Sequence, residues 1–229
     1  MAVALASLLA LASAAQGIFL EKKQAPTSGE WSAEAVYLGY GLGALDRPGE
    51  LRVSRVASPD GRRVAVLDHL KLTVLHENRV MPGLKDVFFP PLGEVLWSGD
   101  SQAFAITSSD GGYVGTWRPR VFLIRRGTVR ELELHKQVIA EFSLKSFCEK
   151  PGDLRDSANI VAVRWIAGSA KLLMAAEVPS HSSCRDMGSV TGFIVEVPSG
   201  KILERLTWPE LRTQWGRYLG ERLAGHRER

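Results

Sequence analysis

The sequence predicts a mainly β fold: a stack of antiparallel β-sheets that carries a helical insertion and ends in a C-terminal amphipathic helix. Two observations predict it. Short runs rich in β-branched and aromatic residues, bounded by Gly, Pro and Asp, recur from Ala35 onward. A self-similar segment also returns along the chain, each copy with the pattern of a strand, a tight turn and a second strand. The length agrees with a single domain, because 229 residues, 45% of them hydrophobic, fall where one all-β domain is common. The 29 Lys and Arg against 25 Asp and Glu make a mild basic excess, which offers no case for a nucleic-acid partner.

The chain opens on an export signal. From Ala2 to Leu20 no side chain is charged, and Ala12-Ser13-Ala14 and Ser13-Ala14-Ala15 are small-x-small cleavage sites followed by the polar stretch Glu21 to Pro26. Residues 1–15 therefore read as a signal peptide, although its n-region lacks Lys and Arg. An uncleaved anchor is the alternative; Ser13, Gln16 and Gly17 interrupt the apolar run where an anchor needs depth. No later segment is long and apolar enough to span a membrane, so no stable transmembrane anchor is expected after processing. The mature protein is expected in the periplasm or outside the cell. Residues 16–33 form a polar N-terminal lead-in, and residues 34–229 a single β domain.

Within that domain the strands follow in order. Ala35-Val36-Tyr37-Leu38, Leu51 to Val56 and Arg63 to Leu67 are the first, and Leu51 to Val56 alternates apolar with polar, so one of its faces is wet. Ala57-Ser58-Pro59-Asp60-Gly61-Arg62-Arg63-Val64-Ala65-Val66 aligns with Trp97-Ser98-Gly99-Asp100-Ser101-Gln102-Ala103-Phe104-Ala105-Ile106 at an offset of 40 residues. A third copy, Trp165 to Met174, lies 68 residues further on. Each copy precedes another strand pair: Lys71 to Leu75 with Glu77 to Val80, Arg120 to Ile124 with Thr128 to Leu132, and Gly192 to Val197 with Lys201 to Glu204. Four strands per repeat of about 40 residues is a propeller signature, with about three recognisable blades. The alternation consigns Val64, Val66, Phe104, Ile106, Leu172 and Met174 to the blade cores.

Ser58-Pro59-Asp60-Gly61-Arg62-Arg63-Val64-Ala65 resembles the S-P-D-G turn of TolB-like and WD40-like β-propeller blades, with Trp97 to Ser101 and Trp165 to Ser169 as weaker copies. The resemblance covers roughly residues 50–206. It implies a partial, propeller-like stack that presents a binding surface rather than a catalytic constellation. Pro fixes φ in such a turn, Asp bonds its backbone, and Gly takes the left-handed corner.

Between the second and third copies, residues 134–159 carry Val138, Ile139, Phe142 and Phe147 at roughly helical spacing and are expected to form a helical insertion. Cys148 ends that insertion and Cys184 lies in the loop Pro179 to Gly188; they are the only cysteines. In an exported chain an even count favours a disulfide, here closing a 36-residue loop worth about 4 kcal/mol. The last element, residues 207–223, opens on the capping box Thr207-Trp208-Pro209-Glu210, after which Leu211, Trp215, Tyr218, Leu219 and Arg222 or Leu223 recur at helical intervals as an apolar stripe; a helix docked on the sheets is its first reading, and a partner-binding or membrane-surface helix with Arg212, Arg217 and Arg222 outward is the alternative.

Candidate sites are few. The five histidines show no i, i+3 or i+4 pairing, so no metal site and no cofactor is expected. His181-Ser182-Ser183-Cys184-Arg185-Asp186 is the one dense polar cluster; a tethered recognition loop is its first reading, and a secreted hydrolase built on His181, a neighbouring serine and Asp186 is the alternative. The arm Asp110 to Trp117 places Tyr113 and Trp117 among glycines, which fits an exposed interface, with inward packing of Trp117 as the alternative. Arg118 and Arg120 share a strand face in a stretch without acidic residues and could meet an anionic partner, or form an ordinary solvated hairpin. The resulting expectation is an exported, non-catalytic interaction protein: an envelope partner, or an immunity-like protein blocking a toxin, with a protein partner in the cell envelope.

Overall fold

The computed structural model describes residues 29–39, 53–68, 70–90, 92–111, 116–143, 158–180, 182 and 184–226. The expected signal peptide (residues 1–15), Tyr113, Cys148, His181 and Ser183 lie outside them. The fold is mainly β, with three antiparallel sheets. The first has the order β2 (Ser54–Ala57), β3 (Arg63–Asp68), β4 (Lys71–His76), β5 (Arg79–Val80). The second runs β1 (Val36–Gly39), β6 (Leu92–Trp97), β7 (Ala103–Ser109), β8 (Arg118–Arg125), β9 (Thr128–Leu132). The third runs β10 (Asn159–Ile166), β11 (Lys171–Glu177), β12 (Val190–Glu196), β13 (Ile202–Leu206). Helix α1 (His135–Ser143) falls in the expected insertion. Among the described residues the sheets do not close on one another into a ring.

The period-2 alternation of each strand sends its side chains to two different interfaces. In the second sheet, Val95, Phe104, Ile106, Phe122 and Ile124 face the first sheet and pack on Val56, Ala65, Leu67, Leu72 and Val74. Its other face, Leu96, Ala103, Ala105, Val121 and Leu123, packs on Ile160, Ala162, Leu172, Met174 and Phe193 of the third sheet and on Val138, Ile139 and Phe142 of α1. Phe104 and Phe122 stack with centroids 4.8 Å apart, an arrangement that adds about 1 kcal/mol beyond the area it buries. The expected core residues Phe104, Ile106, Leu172 and Met174 are fully buried. Val66 is buried at 8% exposure and Val64 is half-buried, but Ala65 and Leu67 rather than the two valines fill the inter-sheet core; the valines share the other face of β3. The run Val64-Ala65-Val66-Leu67 is apolar at both parities, so packing against Phe104 and Ile106 decides which pair goes in.

The repeat turns lie side by side along one rim. Ser58 Oγ donates to Asp60 Oδ1 at 2.6 Å and accepts the Arg63 N–H at 3.0 Å, while Asp60 Oδ1 accepts the Arg62 N–H at 3.0 Å. Ser98, Asp100, Ala103 and Gln102 repeat that network at 2.7, 2.9 and 3.0 Å. Where the first copy has Gly61 at φ +69°, the second places Ser101 at φ +57°. Consecutive turns are also bonded to each other: the Asp60 N–H donates to Ser101 Oγ at 3.1 Å, and Ser169 donates its hydroxyl and its N–H to Asp100 Oδ2, each at 2.9 Å. Trp97 Nε1 donates to the Val56 carbonyl at 3.2 Å and Trp165 Nε1 to the Leu96 carbonyl at 3.0 Å. The sheets therefore share one orientation, and the other ends of the same strands, at Asp68, Ser109 and Glu177, from which the chain continues into residues 69–70, 110–117 and 178–189, lie at the opposite rim.

The C-terminal element is broken where one helix was expected. Helix α2 (Trp208–Trp215) gives way to a 3-10 turn (Gly216–Tyr218) and then to α3 (Glu221–Ala224), because Gly216 and Gly220 interrupt the run. Glu210 reaches back to the Thr207 N–H at 2.7 Å, as the capping box requires. Trp208, Leu211, Leu219 and Leu223 cover the far face of the third sheet. The end of the polar lead-in is packed into the fold: Trp31 is 0% exposed in that same cluster, and Ser32 forms an antiparallel bridge with Leu219.

Candidate functional site

Two of the loops on the second rim start from one buried fastening. Asn159 opens β10 opposite Glu177, the last residue of β11. Its Oδ1 accepts the Trp117 N–H at 3.0 Å, and its Nδ2 donates to Glu177 Oε2 at 2.7 Å. Trp117 closes the connection 110–117 and Glu177 directly precedes the connection 178–189, so one amide side chain holds both roots. Arg222 of α3 donates to the same Glu177 oxygen at 3.3 Å, and its guanidinium sits 4.5 Å from the Trp31 ring centroid. Trp31 meets Trp117 edge to face at 5.7 Å. A guanidinium between a carboxylate and an indole satisfies its charge on one side and its planar face on the other.

Glu94 lies beside this fastening at the middle of β6 and is 1% exposed. Its Oε2 accepts the Trp31 N–H at 3.2 Å, inside a turn closed by the Gly29 N–H donating to the Ser32 carbonyl at 3.0 Å. A Cβ on Gly29 would stand 2.3 Å from that oxygen, so the turn admits no side chain there. Oε1 is buried without a hydrogen-bond partner among the described residues. Burial pushes the Glu94 carboxyl up to about 8; the backbone N–H groups of the turn oppose that shift, and the nearby Glu30 carboxylate adds to it. Glu94 is therefore protonated at neutral pH and enclosed, a lock for the N-terminal turn. The same turn is bonded to the C-terminal segment, through the Gly220 N–H to the Trp31 carbonyl at 3.0 Å and the Arg222 N–H to the Glu30 carbonyl at 2.9 Å.

The residues singled out from sequence are distributed unevenly. Trp117 is 3% exposed and packs inward, so it is not the exposed anchor that was one of its two readings. Arg118 and Arg120 do share a strand face, but neither is free for an anion. Arg118 donates to the Trp117 and Ala158 carbonyls. Arg120 is held bidentately by Glu131 at 2.6 and 2.7 Å, donates to the Phe88 carbonyl at 2.8 Å and lies over the Phe89 ring. Between residues 178 and 189, Arg185 is exposed, Met187 is 42% exposed, and Asp186 is half-buried with Oδ1 lacking a partner among the described residues. Cys184 is buried in the core cluster that also holds Phe142 of α1. Ser182 Oγ accepts the Cys184 N–H at 3.4 Å.

Glu94, Asn159 and Glu177 were not among the sequence candidates, and Arg222, an outward cation in the partner-helix reading, is instead bonded to Glu177. Glu94 carries a legible signal, a lone carboxylate inside Leu92-Gly93-Glu94-Val95-Leu96-Trp97. Asn159 and Glu177 stand at the borders of apolar runs and look like ordinary strand ends. Among the described residues no group of three or more His, Cys, Asp or Glu is placed to hold a metal, and no helix is long and apolar enough to cross a membrane. The chain matches no family model, no curated protein and no solved structure.

Proposed function

We propose that the protein is an exported, non-catalytic binding module with a propeller-like arrangement of its three sheets, and that it meets a protein partner of the cell envelope through the rim bearing the loops 110–117 and 178–189. The observation that carries this reading is the fastening of both loop roots to Asn159, at 3.0 Å from Trp117 and 2.7 Å from Glu177. Loops held at rigid, adjacent roots present one composite surface, the common way in which β scaffolds carry recognition. The propeller-like arrangement draws support from the repeated Trp-to-carbonyl and Asp-to-Ser links between neighbouring sheets. A Cys148–Cys184 bridge belongs to the same proposal, since Cys184 packs in the core cluster with Phe142, six residues before Cys148. Tyr113, His181, Arg185 and Asp186 are the residues proposed for contact, on an envelope component or, for an immunity-like role, a toxin.

The test is affinity capture of a partner from an envelope extract by the processed protein, followed by titration of the purified pair. Tyr113→Ala and Arg185→Glu are expected to weaken it tenfold or more while circular dichroism stays unchanged. Unchanged affinity in both variants would overturn the assignment of this rim. Intact mass with and without reductive alkylation reads out the leader cleavage and the bridge in the same sample.

A further inference from the structure

Strands β2, β6 and β10 are equivalent, because each leads into a repeat turn and each pairs on one side with the strand that follows that turn. The other side is treated differently in each. On β6 it is covered by β1, with Val36 opposite Val95 and Tyr37 opposite Glu94. On β10 the outward N–H groups of Ile160 and Ala162 donate to the Trp117 carbonyl at 3.0 Å and to Thr107 Oγ1 at 3.2 Å. On β2 the Ser58 N–H donates to the Arg63 carbonyl of β3, which sets the alternation: Val56 and Ser54 turn their backbone groups to β3, and Arg55 and Ala57 turn theirs away. Among the described residues no strand lies on that side, and both residues are exposed.

We propose that the free edge of β2 accepts an extended strand from the protein partner, one that alternates apolar residues and places a carboxylate opposite Arg55. The proposal rests on the binding-module reading and names the kind of segment such a partner would supply. Strand addition draws affinity from main-chain hydrogen bonds and specificity from alternate side chains. β1 on β6 is the same device satisfied within the molecule. Arg55 has no ion-pair partner among the described residues; its cross-strand neighbour Val66 leads on to Thr73, and beside them Ala57, Val64 and Leu75 form an apolar row across β2, β3 and β4. Opposite charges directly across a strand pair are favourable and like charges are not. That rule selects against a second copy of this chain, since antiparallel pairing of two β2 edges about Arg55 would bring Arg55 against Arg55.

The test uses the full processed chain and two blocked hexapeptides that alternate valine and threonine, one with a central glutamate and one with a central lysine. The glutamate peptide is expected to slow amide exchange at Arg55 and Ala57 at least tenfold, with Ile160 and Ala162 unchanged, and to bind at least tenfold tighter than the lysine peptide. Arg55→Glu should reverse that preference. Ala57→Pro, which removes an edge N–H and is tolerated on edge strands, should abolish binding of both peptides. The proposal is overturned if neither peptide protects Arg55 and Ala57, or if the preference survives Arg55→Glu. It is equally overturned if the two amides are protected without peptide in proportion to protein concentration, which would mean that a second copy covers the edge. If the peptides fail while Tyr113→Ala and Arg185→Glu still weaken the partner, this inference falls and the loop-rim reading stands; the converse result overturns the loop rim alone.

Discussion

The Asp100 carboxylate accepts the Ser169 hydroxyl and N–H of the next sheet, each at 2.9 Å, with the oxygen it does not use in its own turn. Oδ1 closes the turn on Ser98 and Gln102, and Oδ2 ties that turn to its neighbour. One residue thereby serves both the local geometry and the stacking. Burial alone would raise its pKa, but the hydrogen bonds from Ser98, Gln102 and Ser169 outweigh that and hold it below the ordinary carboxylate value.

Asp100→Ala is expected to cost more than Ser169→Ala, because it opens both the turn and the link. A hydrogen bond to an ionised group contributes about 1.5 to 3 kcal/mol when well shielded, and partial exposure reduces that. Chemical denaturation should therefore give a coupling energy of about 1 kcal/mol between the two positions in a double-mutant cycle. Strictly additive effects would show that the contact contributes nothing to stacking.

Trp165→Phe separates the indole's volume from its hydrogen bond. Trp165 is 6% exposed and its Nε1 donates to the Leu96 carbonyl at 3.0 Å, so the phenyl ring keeps much of the packing and leaves that carbonyl without this donor. A loss of about 1 to 3 kcal/mol is expected from equilibrium unfolding. Trp97→Phe should cost less, because Trp97 is only partly buried.

These repeats were legible because they are local: a turn is written in four or five neighbouring residues, and strand alternation needs only a short window. What the sequence hides is pairing across distance. Nothing in Val36-Tyr37-Leu38-Gly39 marks Val95 and Glu94 as its partners, since a strand's edge can be covered by any segment of matching length. Asn159 is hidden for the same reason: its two partners are Trp117 and Glu177, and only the folded chain brings them to one side chain. The C-terminal stripe predicts one long helix where the structure has two, because an apolar stripe survives a bend when the break falls on glycines.

Trp117→Ala tests which reading of that residue is right. Its burial at 3% exposure and its edge-to-face contact with Trp31 place it in the core, where deleting a large aromatic costs about 3 to 5 kcal/mol. Differential scanning fluorimetry should show a drop in Tm well beyond a few degrees. A near-native Tm would mean that the indole contributes little to packing and would return Trp117 to the interface.

Glu94 sets a pH dependence whose sign is opposite to that of most carboxylates. In the unfolded chain Glu94 loses its proton near the ordinary 4.5, whereas in the folded protein it keeps the proton up to about 8. Between those values the native state binds one more proton than the unfolded state, so stability falls as pH rises, by about 1.4 kcal/mol per pH unit from this group alone. Its contribution is complete below pH 4.5 and exhausted above about 8. Glu94→Gln keeps an oxygen for the Trp31 N–H and cannot ionise. The difference in unfolding free energy between wild type and Glu94→Gln, measured by urea denaturation at pH 5, 6, 7 and 8, should therefore move steadily in favour of the variant. A difference that is flat across this range would show that Glu94 is ionised in the native turn, its charge held by the N–H groups around it.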